Sequence, residues 1–93
     1  MNYALETSDY FLRRARKFFR KHPDLKSKFA KVTETLCDDP FAVSLKTHNL
    51  SGDLEGIYAI SLTHSYRVTL LLKITEKEII LLDIGSHDEV YRS

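Results

Sequence analysis

The side chains of this sequence that can hold an anion or move a proton fall in three places: Lys46 and His48 in one loop segment, Arg67 in a strand-like run, and His87 with Tyr91 near the C-terminal end. Other chemistries find little support. The four histidines, His22, His48, His64 and His87, show neither His-x-His nor His-Glu-x-x-His spacing, and Cys37 falls inside a helical pattern, so neither a metal nor any other cofactor is expected. A Ser/His/Asp hydrolase would need a G-x-S-x-G elbow, which is missing, and the three glycines, Gly52, Gly56 and Gly85, are too scattered to cradle a phosphate. His64 falls in a hairpin turn and is assigned to solvent; His22 falls at a helix end, where a cation is favoured by the dipole. Taken singly, the remaining groups have ordinary explanations. Lys46 reads as a surface lysine, His48 as a loop side chain beside Asn49, Arg67 as half of an edge ion pair with Glu55 or Asp83, His87 as a partner of Asp88, and Tyr91 as a core anchor. Together they would supply anion binding, stabilisation of transition-state charge and a group that titrates near pH ~6.5, without a metal. RNA cleavage asks for that set. A base takes the proton of a ribose 2′-hydroxyl, the oxygen attacks the adjacent phosphate, a cation holds the added charge, and an acid protonates the departing 5′-oxygen.

The periodicity of the chain says how such groups would be presented. A short opening strand over Asn2 to Glu6 precedes capping oxygens at Thr7, Ser8 and Asp9; Phe11, Leu12, Ala15, Phe18 and Phe19 then recur at helical spacing up to about His22. Pro23 suits a first helical turn, and Leu25, Phe29, Val32 and Leu36 continue one apolar face to about Cys37, where Asp38-Asp39-Pro40 stops the helix. The join is short enough to demand a tight helical hairpin. Ser44 to Gly52 reads as a short strand running into a polar loop. From Ala42 onward the period changes to two, and Ile57–Leu62, Tyr66–Ile74 and Glu78–Ile84, separated by Thr63-His64-Ser65 and Thr75-Glu76-Lys77, predict an antiparallel meander. In the middle run Tyr66, Val68, Leu70, Leu72 and Ile74 share the face that packs on the helices, which leaves Arg67 on the other face. A strand end or helical turn carries Ser86 to Tyr91. The predicted fold class is α+β, an N-terminal strand and helical hairpin on one face of a small antiparallel sheet, in a single domain over residues 1–93.

Ninety-three residues, 43% hydrophobic and 29% charged, give one modest globular core and exclude a multidomain enzyme. One cysteine excludes a disulfide scaffold, no apolar run reaches the ~20 residues that span a bilayer, and the first residues lack the pattern of a signal peptide. A cytoplasmic address without a membrane partner is the expectation. The net charge of +1 hides an asymmetry: up to Lys31 the chain holds nine Lys/Arg against three acids, net +6, and the remainder is −5. A cationic helical half permits a polyanion partner without demanding one.

The segments Leu45-Lys46-Thr47-His48-Asn49-Leu50-Ser51-Gly52, Ser65-Tyr66-Arg67-Val68 and Leu82-Asp83-Ile84-Gly85-Ser86-His87-Asp88-Glu89-Val90-Tyr91, in this element order, resemble the RelE/ParE toxin superfamily near its RelE/StbE and YafQ/YoeB branches. The resemblance covers nearly the whole chain. It implies the toxin of a type II toxin–antitoxin pair that enters the ribosomal A site and cleaves mRNA without a metal, as an endoribonuclease that inhibits translation. Carried over by position, Arg67 would stabilise the phosphate, His87 would act as general acid or base, Lys46 and His48 would contact phosphate or assist proton transfer, and Tyr91, with Ser86 beside it, would hold the nucleotide. The implied partners are a partly disordered antitoxin in a hetero-oligomeric complex, mRNA and the ribosome. Two departures matter: relatives tend to be more basic, and Ile57-Tyr58 stands where several carry tryptophan. The superfamily also contains ParE-type gyrase inhibitors that are not nucleases, so a binding-only toxin and a degenerate toxin that binds only its antitoxin stay open as alternatives.

Overall fold

The computed structural model describes residues 2–50 and 55–91. Its elements run β1 (Ala4–Thr7), α1 (Asp9–Lys21), a 3-10 turn (Pro23–Leu25), α2 (Lys26–Asp38), a second 3-10 turn (Val43–Leu45), β2 (His48–Asn49), β3 (Ile57–Ser61), β4 (Tyr66–Lys73), β5 (Glu78–Ser86) and α3 (His87–Tyr91). Helix α1 starts where Ser8 caps it, its hydroxyl accepting the Phe11 N–H at 3.0 Å. Pro23 opens the turn that joins the two helices. Gly52 and the rest of the predicted polar loop at 51–54 lie outside the described residues; Gly56 follows with φ +83°, a left-handed conformation that glycine adopts without steric cost.

The five strands form one sheet in the order β1-β5-β4-β3-β2. The predicted meander is there, with β3, β4 and β5 antiparallel. The sheet is nevertheless mixed, because β1 pairs parallel with β5, Ala4 opposite Glu78 through Thr7 opposite Leu81. Parallel neighbours cannot be joined by a tight turn, and here the helical hairpin and the other three strands intervene. One face of the sheet packs on α1 and α2. Phe11, Phe18, Val32 and Leu36 from the helices meet Ile60, Leu62, Val68, Leu70, Leu72, Ile79, Leu81 and Ile84 from the sheet side. Tyr66 packs against this core as predicted, whereas Ile74 falls just past the end of β4 and is exposed. His22 ends α1 as expected and lies half-buried between the rings of Phe18 and Tyr66, at centroid distances of 4.7 and 4.8 Å. Among the described residues no helix is long and apolar enough to cross a membrane.

A register shift in the β4–β5 ladder re-aims one side chain. Thr69 faces Asp83 but Leu70 faces Leu81, so β5 carries an extra residue at Leu82. The Asp83 carboxylate accepts from Arg14 Nε of α1 at 2.8 Å, and one of its oxygens also accepts the Ile84 N–H. The alternative pairing of Arg67 with Asp83 is therefore not made, and Asp83 instead forms an α1–β5 ion pair, in which its hydrogen bond holds the Arg14 pKa up.

Candidate active site

The C-terminal turn is where the sequence positions its chemistry most firmly. The Ser86 N–H donates to Glu89 Oε1 at 2.8 Å and the Glu89 N–H donates to Ser86 Oγ at 3.3 Å, the reciprocal pattern of a capping box. Arg14 reaches the same carboxylate at 3.9 Å, so one arginine of α1 ties β5 to α3. The Ser86 backbone N–H is the main reason the Glu89 carboxyl titrates below its ordinary range; partial burial opposes it, and the Ser86 hydroxyl and Arg14 add to it. Gly85 makes this packing possible, since a Cβ there would sit 2.7 Å from Glu89 Oε1 and 3.1 Å from Arg14 Nη2. Val90 is buried, which docks α3 on β4 and β5. His87 and Tyr91 are then one helical turn apart, with ring centroids 4.1 Å apart in edge-to-face contact.

Two further groups converge on Tyr91. His48 of β2 places Nε2 2.8 Å from the Tyr91 hydroxyl and Nδ1 3.0 Å from the Lys46 carbonyl. A carbonyl only accepts, so Nδ1 carries the proton, and in the neutral ring Nε2 accepts from the phenol. Lys46 turns the chain at this point with φ +52°, in the left-handed region. Arg67 approaches from β4. Its Nη1 donates to the carbonyls of Thr63, His64 and Tyr66 at 2.8, 3.0 and 3.2 Å, which pins the guanidinium to the β3–β4 turn. Burial raises the Tyr91 pKa, against the charge and hydrogen bond of Arg67, so the phenol is a proton donor at neutral pH.

Of the residues singled out in the sequence, the structure thus brings His48 to the Tyr91 hydroxyl and His87 to the Tyr91 ring, with Arg67 near enough for its charge to act on the phenol. Lys46 contributes its carbonyl to that arrangement, and it also lines a neighbouring cleft of about 320 Å³ with Lys28 and Lys31 of α2 and His64. Ser86 is spent on capping α3. His87 and Asp88 approach to 3.8 Å, but both are largely exposed, at 65% and 93%, where an ion pair contributes little. The sequence did not single out Arg14 or Glu89, although Ser86-x-x-Glu89 is a legible capping signature, and it offered Asp83 only as an ion-pair partner of Arg67. Among the described residues no three of His, Cys, Asp and Glu come together as metal ligands would. A second groove, on the exposed side of α1, is lined by Leu12, Ala15 and Phe19 with Arg16, Arg20 and Lys26 at its rim.

No protein-family model matches the sequence, and no curated protein is significantly similar to it. Solved structures are similar. A metal-bound toxin from Helicobacter pylori is 28% identical, with a TM-score of 0.79 over 95% of this chain and 98% of that one. YafQ in the Escherichia coli DinJ–YafQ complex is 17% identical, with a TM-score of 0.79 over 95% and 97% of the two chains. A YoeB/ParE toxin from Agrobacterium tumefaciens is 17% identical, with a TM-score of 0.76 over 90% and 98%.

Proposed function

From a chain that has the fold of the RelE/ParE toxins on their YafQ/YoeB side, we propose the toxin of a type II toxin–antitoxin pair that cleaves mRNA in the ribosomal A site. The observation that carries this reading is the meeting of acid–base groups and a cation at one point. His48 and His87 both flank the Tyr91 hydroxyl or ring, and Arg67 acts on the same phenol. The chemistry follows from that arrangement. One histidine takes the proton of the 2′-hydroxyl, its oxygen forms a bond to the adjacent phosphorus, and the bond to the 5′-oxygen breaks as the other histidine supplies a proton. The products are a 2′,3′-cyclic phosphate and a free 5′-hydroxyl. Arg67, with Nη1 already held by three carbonyls, turns its remaining N–H groups and its charge toward the phosphate without first having to be ordered. Tyr91 stays protonated and holds the nucleotide and the His48 ring; Lys46 adds a cation beside the loop.

The partner in this reading is an antitoxin, as DinJ is for YafQ. The α1 groove suits an acidic amphipathic segment that folds as it binds: Leu12, Ala15 and Phe19 offer an apolar floor, and three cations stand at the rim.

Primer extension on a defined mRNA paused on purified ribosomes tests the reading, beside Arg67→Ala, His87→Gln and a ribosome-free lane. The expected result is discrete cuts in the A-site codon that require ribosomes and vanish in both variants. Intact mRNA in every lane, from folded protein that still stops growth, replaces the nuclease with a binding-only toxin.

A further inference from the structure

We propose that the cleft between α2 and the β3–β4 turn is an RNA-backbone subsite, which seats phosphates beyond the nucleotide held by Arg67 and Tyr91. The inference rests on the nuclease reading above. Lys28 and Lys31 stand three residues apart on α2, so their side chains share a face, and Lys46 lies across the cleft. All three lysines are exposed, and among the described residues no acidic side chain lines the cleft and none of the three is in an ion pair. Three cations in one concavity repel each other, and an anion between them relieves that repulsion.

The cleft is continuous with the candidate active site through both of its walls. Lys46, in one wall, holds His48 Nδ1 with its carbonyl. Thr63 and His64, in the other, hold Arg67 Nη1 with theirs. A strand whose scissile phosphate lies at Arg67 can run its next phosphates along these walls. Lysines are suited to that role because they contact a backbone without reading its sequence.

The lining also separates RNA from an acidic protein segment. The apolar residues of the cleft, Val32, Leu45 and Leu62, are buried at 8%, 1% and 1% exposure, so they form a floor already used by the core. What stands free is ammonium groups, which suit phosphate oxygens, since the Thr35 and Ser61 hydroxyls already donate to the Lys31 and Thr63 carbonyls. An amphipathic helix needs free apolar surface, and the α1 groove offers it, with Leu12 42% exposed.

The test is binding of fluorescein-labelled 2′-O-methyl RNA, which lacks the attacking hydroxyl, to the intact chain over a range of salt concentrations. Two lengths are used, a trinucleotide and an oligomer of about twelve nucleotides. The variants are Lys28→Gln/Lys31→Gln, Arg67→Ala, and Lys73→Gln/Lys77→Gln as a charge-matched control at the opposite end of the sheet. The lysine pair of the cleft is expected to weaken the long oligomer about tenfold and to reduce its salt slope by about 1.4, two contacts at about 0.7 each, while leaving the trinucleotide unchanged. The control pair should change neither. Equal loss on both lengths would mean a general field rather than a subsite and would overturn the proposal. Unchanged binding of the long oligomer, with Arg67→Ala weakening both lengths, overturns the subsite and leaves the nuclease reading standing. If the wild type binds neither length, the subsite is overturned, while the nuclease reading, whose cleavage requires ribosomes, is still decided by primer extension. Loss of poly-L-glutamate binding with RNA binding retained gives the cleft to an acidic protein instead.

Discussion

The two faces of β4 divide the labour of this molecule. On the face toward the helices, Val68, Leu70 and Leu72 are buried at 5% exposure or less within one apolar cluster. On the other, Arg67 is half-buried, its Nη1 holds backbone carbonyls and its charge acts on the Tyr91 phenol, while α3 covers part of the surface. Alternation with period two is what lets eight residues serve both ends, although Thr69 on the second face is also buried, at 3% exposure. The lesson is that stability and chemistry are separable here by parity along one strand. Substitutions on one face should report on folding and those on the other on the reaction.

The largest effect is expected from Leu70→Ala. Removing a fully buried leucine from the central strand should cost about 2–5 kcal/mol, read as a lowered urea midpoint with an unchanged slope. For a domain of this size that is a large share of the total. Arg67→Ala is the converse. It leaves turn carbonyls to water at a partly exposed site, so its effect on the midpoint should stay within about 1 kcal/mol, while cleavage falls by about 10²-fold or more. A midpoint shift as large as that of Leu70→Ala would break the comparison between the faces.

The distinction was largely legible in the sequence. Alternating Tyr66, Val68, Leu70 and Leu72 fixed the packed face, which put Arg67 on the other, and helical spacing of Phe11 and Phe18 gave α1. What could not be read is where local patterns give way to through-space geometry. The parallel pairing of β1 with β5 has no local signature, because its partners are separated by the whole fold. The bulge at Leu82 looks like an ordinary apolar position, yet it turns Asp83 away from Arg67 and toward Arg14. Lys28 and Lys31 looked like one more solvated helix face until the β3–β4 turn was found opposite them. In the site, His48, Arg67, His87 and Tyr91 were named from residue type and resemblance, but their gathering around Tyr91 is a property of the sheet order.

The open face depends on a clamp that the packed face supplies. Arg14 belongs to α1, and through Glu89 it steadies the turn that presents His87 and Tyr91. Glu89→Gln keeps a weaker cap and should reduce cleavage about fivefold with little change in the urea midpoint. Gly85→Ala should act in the same direction, because the added methyl must displace Glu89 and Arg14. The acid response gives a second readout. The folded-state carboxyl of Glu89 titrates below its ordinary range, so its contribution is fully present above about pH 4.3 and is lost as pH falls through the depressed value. Ring shifts of His87 and Tyr91 followed by NMR should show α3 loosening over that acid range in the wild type. In Glu89→Gln that step should be missing.

The smallest signal comes from the packed side, at Cys37. This thiol is buried at 1% exposure near the end of α2, where the Asn2 and Tyr3 N–H groups both donate to its carbonyl, at 3.1 and 3.0 Å. Burial is the main reason its pKa is raised, with the charge of Asp38 adding to it. A raised thiol pKa favours the protonated form, so the associated stability holds below the ordinary thiol value and is lost only as pH rises through the elevated one. Alkylation by iodoacetamide at pH 8 should therefore be slow and should follow opening of the junction between the start of the chain and α2. Arg67→Ala should leave that rate unchanged, because nothing on the open face guards the thiol. Leu70→Ala should raise it in proportion to the increase in open molecules, and a rate that instead followed the Arg67 substitution would show that the two faces open together.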